Sequence, residues 1–593
     1  MPETAIQKAE RLKREQNPWT ELPRLLASFR RGVEAMDAED LSHRLRWWGL
    51  YTQGDGEGAF GKAAPYFMMR IRIPNGMLTA AQTAVIAELA REFGRGVADV
   101  TVRQNVQLHW LEAEALPEVF ARLETVGLTS KSACGDDPRN LTGCPLAGLD
   151  ANEYADASAL TLATNRALLA SGDYYNLPRK FKISITGCRD WCPNPEINDV
   201  AFTANPQRAP VARHLLPWSL PLVARSASFD SRQGPPADAQ GSSKLPQEEA
   251  VWFGLRVGGG LSNTPLLAVP LPVRVAWHQV APVACAIAGL FRDRGELRQS
   301  RAQARLKFLF LKHGWTAERF LAELESRLGE RLERAEPEAP PAPQFRDHLG
   351  IHEQKQAGLF YVGASVARGR LRAAQLAGVA EAAARWGDGT VRLTGMQNVV
   401  IANVPEANVM GLVAELERQE LPVRASAFQR GVMSCTGKEF CKLAVVETKG
   451  FAASLIAELE RRLPDFPEPL RVNLNGCPNS CGQHWVADVG LQGSRVKTAS
   501  GTADGFDVYL GGGLGEGARL ARKTLGRVLA TELAERLEAL FRHYRRERRA
   551  EESFRDFVER AGTGALEQVL GTLPAAAVPV RAHGDFIPTE ELG

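Results

Sequence analysis

The feature that most restricts how this chain can fold is a repeat of its own landmarks. RIPNGMLTAAQ ends at Gln82 and ARGRLRAAQ at Gln375, while VTVRQNVQLHW carries Gln104 and Asn105 and VRLTGMQNVVI carries Gln397 and Asn398. Both pairs are displaced by 293 residues (375 − 82 and 397 − 104). SITGCRDWCPNPEINDVAF then matches NLNGCPNSCGQHWVADVGL, with Cys188 against Cys477 and Cys192 against Cys481 at a displacement of 289 (477 − 188). Gly258 to Gly260 match Gly511 to Gly513, and Leu-Phe-Arg comes next at 290–292 and at 540–542. Landmarks in one order, met twice, predict two copies of a single module.

Within each copy the hydrophobic period alternates between strand and helix. YFMMRIRI reads as a strand, LTAAQTAVIAELAREF as an amphipathic helix, DVTVRQNVQLHWL as a second strand and LPEVFARLETVG as a second helix. The other copy repeats this with GLFYVGASV, a helix through Ala384, VRLTGMQNVVIANV and a helix near 406–418. Such a unit suits a split βαβ arrangement. The remainder of each copy, from FKISITG or LRVNLNG onward, reads as a further α/β unit. The expected fold is therefore α/β (α+β), internally duplicated about a pseudo-two-fold axis. The expected division is a segment 1–60, a half-domain 61–130, a domain 131–335, a linker 336–350, a half-domain 351–424, a domain 425–573 and a tail 574–593. RLERAEPEAPPAPQFRDHLG, rich in Pro and charge, reads as a surface linker. A Pro-, Ser-, Gly- and Gln-rich insertion at 226–249 reads as an exposed loop; it lowers the displacement to 253 at the glycines (511 − 258).

Composition removes several classes. A chain of 593 residues exceeds one hydrophobic core. A net charge of +3 gives no electrostatic reason to expect nucleic acid. The N-terminal MPETAIQKAERLKREQNPW is charged throughout, unlike a secretory signal, and no apolar run is long enough to span a bilayer. Nine cysteines, an odd number, argue for a reducing compartment and against a disulfide framework. A cytoplasmic monomer is expected.

Four of those cysteines dominate the second copy: Cys435 and Cys441 in SCTGKEFC, and Cys477 and Cys481 in NGCPNSC. Soft thiolates suit iron–sulfur clusters, and four complete the coordination of a cubane. A zinc site more often shows two residues inside each pair, where these stretches have five and three. Small neighbours such as Gly437, Gly476 and Gly482 admit a bulky cofactor. The plainer reading is four reduced structural cysteines.

The two stretches resemble the cluster signature of the sirohaem-dependent sulfite and nitrite reductases. The resemblance covers most of the chain and implies that family's fold, with ferredoxin-like half-domains and cofactors between modules. It implies a 4Fe-4S cluster on Cys435, Cys441, Cys477 and Cys481, with Cys481 also ligating the sirohaem iron. Arg103, Gln104 and Asn105, with Asn140, resemble the family's tetrapyrrole-binding residues. Arg70, Arg139, Lys180 and Lys182 resemble its oxyanion-binding cations. Four cations around one pocket would bind an oxyanion and stabilise oxygen leaving as water; singly, each reads as a solvated charge. Lys180 and Lys182, two apart on a strand, point to one face. The glycines of VGGGLSN and LGGGLGEG offer amides to an anion.

The resemblance leaves the substrate between sulfite and nitrite. Lys182 is similar to the sulfite-reducing branch, and Tyr51 and Cys134 resemble positions that some of its members join by a thioether. CPLAGLD at 144–150 is closer to the nitrite branch. Sulfite is slightly preferred. Ferredoxin is the implied electron donor, and Arg542, Arg545, Arg546, Arg548 and Arg549, read as one helix, could steer an acidic partner. A precorrin-modifying oxygenase and a non-catalytic iron–sulfur protein are the alternatives. Finally, Cys144, Cys188 and Cys192 repeat three of the four cluster positions, with Asp150 where Cys441 stands in the other copy (441 − 291). They read either as remnants of a lost site, packed as small apolar groups, or as ligands of a second cluster.

Overall fold

The computed structural model describes residues 4–54, 66–206, 251–499 and 501–571. The insertion at 226–249 and the tail at 574–593 lie outside the described residues. Four five-stranded sheets carry the duplication, two of each kind. The family of folds is the one expected, mixed helix and sheet with two ferredoxin-like half-domains.

The half-domains are interlocked. The first sheet runs Leu50–Thr52, Tyr66–Ile71, Val106–Glu112, Val97–Val100, and is completed by Arg370–Arg372 from the second copy. The second runs Gly350–Glu353, Leu359–Ala364, Val399–Pro405, Thr390–Leu393, and is completed by Met77–Thr79 from the first. Arg370 pairs with Asp99, and Thr390 with Thr79, both antiparallel. Each exchanged strand runs directly into a helix, Ala80–Phe93 or Ala373–Trp386, and these two helices pack on each other. Thr79 caps the first through a capping box with Gln82; in the second, Gln375 accepts from the Arg372 N–H at 3.0 Å. One apolar core therefore runs through both half-domains, from Leu78 and Ile86 to Leu371 and Leu376.

One expected strand in each copy is two. DVTVRQNVQLHWL splits into Val97–Val100 and Val106–Glu112, and its counterpart into Thr390–Leu393 and Val399–Pro405. Gln104 and Gln397 take the left-handed backbone region, with φ of 59° and 66°, which a strand cannot hold. Thr101 Oγ1 accepts from the Arg103 and Asn105 N–H groups and closes the turn. The alternation of apolar residues continues across the turn and hides it.

The other two sheets are mixed. Ile183–Thr186 lies parallel to Val200–Pro206, followed by Val251–Val257, Val269–Ala276 and Glu333–Arg334. In the second copy Val432–Ser434, Val472–Asn475 and Val489–Thr498 are parallel, followed by Gly501–Leu510 and Arg522–Leu529. Each has its own core, around Phe181 and Phe253 or around Phe506 and Phe541. The linker is on the surface only in part. Glu338 is held by Arg256 at 3.3 Å, and Asp347, His348 and Leu349 at its end are buried.

Candidate active site

Cys435 and Cys477 stand just beyond the C-terminal ends of neighbouring parallel strands, where loops can converge on a ligand. The Cys435 N–H donates to the Leu474 carbonyl at 3.0 Å, and the Gly476 N–H donates to Cys435 Sγ at 3.2 Å. Cys441 is returned to the site by a turn through Gly437, whose φ of +75° favours glycine. A Cβ on Gly476 would stand 2.7 Å from that of Ala444, and one on Gly482 would stand 2.7 Å from the Leu474 carbonyl oxygen. Burial, with Cys481 next in effect, pushes the Cys435 thiol up to about 11; burial raises Cys441 and Cys477 too. Such thiols stay protonated unless a metal takes them. Among the described residues, no three of these four sulfurs lie within 4.8 Å of one another.

Cys477 is buried, Cys435 and Cys441 are half-buried, and Cys481 alone is exposed. Cys481 opens into a cavity of about 510 Å³ that Arg103, Thr142, Lys182 and Ser480 also line. Arg103 Nε, Thr142 Oγ1 and Ser480 Oγ are buried without a hydrogen-bond partner among the described residues. Unpaired buried polar atoms are costly, and three around one cavity suit a ligand rich in acceptors. Sirohaem, with its peripheral carboxylates, has that chemistry.

The expected cations converge from different elements. Arg70, on Tyr66–Ile71, donates to the Ala133 carbonyl at 3.2 Å, to Cys134 Sγ at 3.1 Å and to Gln107 Oε1 at 2.7 Å. Arg139 donates to the same Ala133 carbonyl at 3.0 Å and to that of Gly135 at 2.7 Å. Tyr51 and Cys134 both act electrostatically on Arg139. Lys180 and Lys182 precede the strand Ile183–Thr186, yet they keep its alternation: Phe181 between them is fully buried and bridges Pro138. Burial, then Arg305, lowers Lys180 to about 7, while Cys481 opposes that shift. Burial, then Lys180 and Arg103, lowers Lys182 well below an ordinary lysine.

Arg103 donates to Asn198 Oδ1 at 2.8 Å and to the Asn140 carbonyl at 2.6 Å. The neighbouring amides hold main chain instead. Asn140 Nδ2 donates to the Ile73 carbonyl at 2.7 Å, and Asn105 Oδ1 accepts from the Ile73 N–H at 3.2 Å. Gln104 Nε2 donates across to the Leu393 carbonyl at 3.1 Å, and Gln397 Nε2 donates back to that of Val100 at 2.9 Å. The two glutamines are equivalent clamps between the copies.

Two readings are corrected. The amides of Gly258, Gly260, Gly511, Gly512 and Gly513 are all donated to main-chain carbonyls and offer nothing to an anion. These glycines serve close packing: a Cβ on Gly259 would stand 2.6 Å from the Asn198 carbonyl oxygen, and one on Gly512 2.6 Å from that of Trp485. The arginine-rich helix ends at Glu547, before Arg548 and Arg549; Arg542 pairs with Glu538 at 2.9 Å, and Arg548 pairs with Glu468.

Sequence reading missed the buried pair Arg305 and Asp199, 2.8 Å apart. Asp199 also accepts from the Lys182 N–H at 2.9 Å, and Arg305 is among the charges that depress both lysines. A signal existed for Asp199. It matches Asp488 at the displacement of 289 (488 − 199), and Asp488 accepts from the Arg471 N–H in the same way.

A duplicated fold that sets four cysteines at the ends of parallel strands, beside a cationic cavity, defines a redox enzyme of the iron–sulfur class. The description "Nitrite and sulphite reductase 4Fe-4S domain" matches residues 134–332 and 425–574, and "Nitrite/Sulfite reductase ferredoxin-like half domain" matches 61–126 and 352–419. A sulfite reductase [ferredoxin] of Mycobacterium tuberculosis is 36% identical over 568 residues, covering 93% of this chain and 94% of that one. A ferredoxin–nitrite reductase of Synechococcus elongatus is 38% identical over 516 residues, covering 86% and 91%. The solved structure of Mycobacterium tuberculosis NirA protein superposes with a TM-score of 0.83 at 35% identity, covering 95% of this chain and 98% of that one. The chain belongs to the nitrite and sulfite reductase family, enzymes dependent on sirohaem and a 4Fe-4S cluster.

Proposed function

We propose that this enzyme reduces sulfite to sulfide by six electrons taken from ferredoxin, with nitrite to ammonia as its second activity. The observation that carries the reading is Cys481, the exposed cysteine of the four, opening into the cavity that Lys182 and Arg103 line. When bound, the cluster and sirohaem supply electron relay and an iron at which the anion is reduced. Cys435, Cys441, Cys477 and Cys481 would hold the cluster, and Cys481, which faces the cavity, would be the one nearest to the sirohaem. Arg103 meets carboxylates of the tetrapyrrole, while Gln104, Asn105 and Asn140 fix the main chain around it.

Arg70, Arg139, Lys180 and Lys182 bind the anion and offset the charge on departing oxygen. Lys180, lowered to about 7 and so only partly protonated near neutral pH, is drawn toward its charged form as the anion binds and can return a proton to the oxygen that leaves. Tyr51 and Cys134, both acting on Arg139, support the sulfite preference, as does the sulfite reductase relative. The nitrite reductase relative and CPLAGLD support the second activity.

An electron donor has to approach the cluster. Lys438, Lys442, Leu443 and Val445 are exposed on the loop that carries Cys441, with Leu443 59% accessible. Lysines around an apolar centre suit an acidic ferredoxin better than the paired arginines of 542–549 do. No helix among the described residues is long and apolar enough to cross a membrane. A cytoplasmic setting is the one that reduced thiols favour.

The test is the ratio of sulfite to nitrite turnover, with reduced ferredoxin as donor, in Lys182→Asn. Sulfite turnover should fall more than nitrite turnover. Equal losses would make Lys182 a general electrostatic group, and no loss would remove it from the site.

A further inference from the structure

The first copy keeps three cysteines where the second has four, and their geometry is of another kind. Cys144, Cys188 and Cys192 bring their three sulfurs within 4.8 Å of one another. Cys188 Sγ and Cys192 Sγ are 3.5 Å apart. Three thiolates around one tetrahedral zinc, each at about 2.3 Å, stand about 3.8 Å apart. The thiolates of a cubane are held by different irons and stand farther apart; among the described residues the second copy's four cysteines form no such close group. The measured spacing is that of ligands sharing one ion.

The surroundings agree. Cys144 and Cys188 are each 1% exposed. Thr186 Oγ1 lies 3.2 Å from Cys188 Sγ, and the Cys192 N–H donates to the same sulfur at 3.4 Å. Donors aimed at sulfur stabilise the thiolate form that a metal requires. Arg346 acts electrostatically on Cys192 and Cys144, a cation close to what would be a site of net negative charge. Cys192 and His348 line one cavity, and the His348 ring is buried with neither nitrogen partnered among the described residues. The His348 nitrogens lie outside the 4.8 Å group of sulfurs, but a buried, unsatisfied imidazole on a cavity that Cys192 shares is unusual unless something is to be bound.

We propose that Cys144, Cys188 and Cys192 bind a single zinc ion, with His348 turning in to supply the fourth ligand. Binding displaces the three thiol protons, with no change of oxidation state. The ion ties the loop after Ile183–Thr186 to the loop around Cys144 and to the end of the linker, where His348 stands. It carries no electrons and belongs to the architecture of the first copy, although Cys192 also lines the cavity that Cys481 enters.

The experiment is metal analysis of the holoenzyme, with iron, zinc and acid-labile sulfide counted per chain. Zinc close to one equivalent is expected beside the iron of one cluster and one sirohaem. Cys188→Ser should lose that zinc while the iron content and the sirohaem absorption stay as they were. His348→Ala should bind zinc about tenfold more weakly in chelator competition, in line with the loss of one ligand contact. Exchange of the zinc for Co²⁺ should give thiolate charge-transfer absorption that Cys144→Ser lacks. Iron and sulfide sufficient for a second cluster would overturn the proposal. So would a Cys188–Cys192 disulfide found by mass spectrometry, or a correctly loaded enzyme that takes up neither zinc nor Co²⁺ at this site.

Discussion

The two copies of this molecule place equivalent residues in opposite circumstances. Arg139 and Arg430 correspond at a displacement of 291 (430 − 139), and Lys182 and Arg471 at 289 (471 − 182). Lys182 and Arg103 line the cavity that Cys481 enters, and both Lys180 and Lys182 are depressed by burial and by neighbouring cations. On the other side Arg430 is paired with Asp347 at 2.6 Å, and Arg430 and Arg471 both stand over the ring of Phe345 at 5.8 Å. Arg471 also donates to the Gln344 carbonyl at 3.3 Å. Arg346 is held by Asp150 and Asp190. The end of the linker thus packs against both arginines and gives Arg430 a carboxylate partner. In the second copy, residues 344–347 stand against Arg430 and Arg471, the counterparts of Arg139 and Lys182. The contrast is one of degree: Arg139 has Asp137 at 3.7 Å, while Arg430 has Asp347 at 2.6 Å, and a cation with the looser carboxylate partner gains more from an anion.

The contrast between the copies breaks most directly at Cys481. Cys481→Ser should reduce sulfite and nitrite turnover below detection even where some cofactor is retained. Normal turnover would remove this thiolate from the centre of the site. Next come the paired arginines. Arg139→Ala should lower kcat/KM for the anion by about 10²-fold, the scale of losing one oriented charge donor, while Arg430→Ala should leave turnover within about twofold. Losses of similar size in both would mean that the closed pocket still works.

A smaller effect separates the sides by pH. Lys180 is lowered to about 7, and anion binding favours its charged form. Above about pH 7 a proton must therefore be taken up on binding, and affinity should fall by up to about tenfold per unit. Nitrite, which stays ionised across this range, is the probe, and Lys180→Arg should flatten the profile. An unchanged slope in that variant would assign the titration to another group. Smallest is Phe345→Ala, which removes two cation–π contacts of the closed pocket. It should destabilise the fold by about 1–2 kcal/mol in denaturant titration with turnover unchanged. A gain of anion binding at a second site would show that Phe345 is the plug.

Much of this was legible in one dimension. Cys435, Cys441, Cys477 and Cys481 lie in two short stretches, so local spacing was enough to identify them as a set, and the constant displacement exposed the duplication. Lys180 and Lys182 were legible for a similar reason, since alternation puts neighbours two apart on one face. The turn at Gln104 was missed because a left-handed residue leaves no mark on hydrophobic periodicity. Arg305 was missed because its partner Asp199 is 106 residues away.

The sequence by itself determined the duplication, most of the order of elements and the candidate cysteine ligands, because each is written in local spacing and composition. Tertiary structure alone decided that Met77–Thr79 and Arg370–Arg372 are exchanged between sheets. It also decided that Phe345 lies between two arginines, and that one set of sulfurs stands open while the other closes to 3.5 Å. Those outcomes depend on which distant segments meet, and a strand edge, a cation or a thiol accepts any partner of the right chemistry. The choice among partners is made by the packing of the whole core, to which no short stretch of sequence has access.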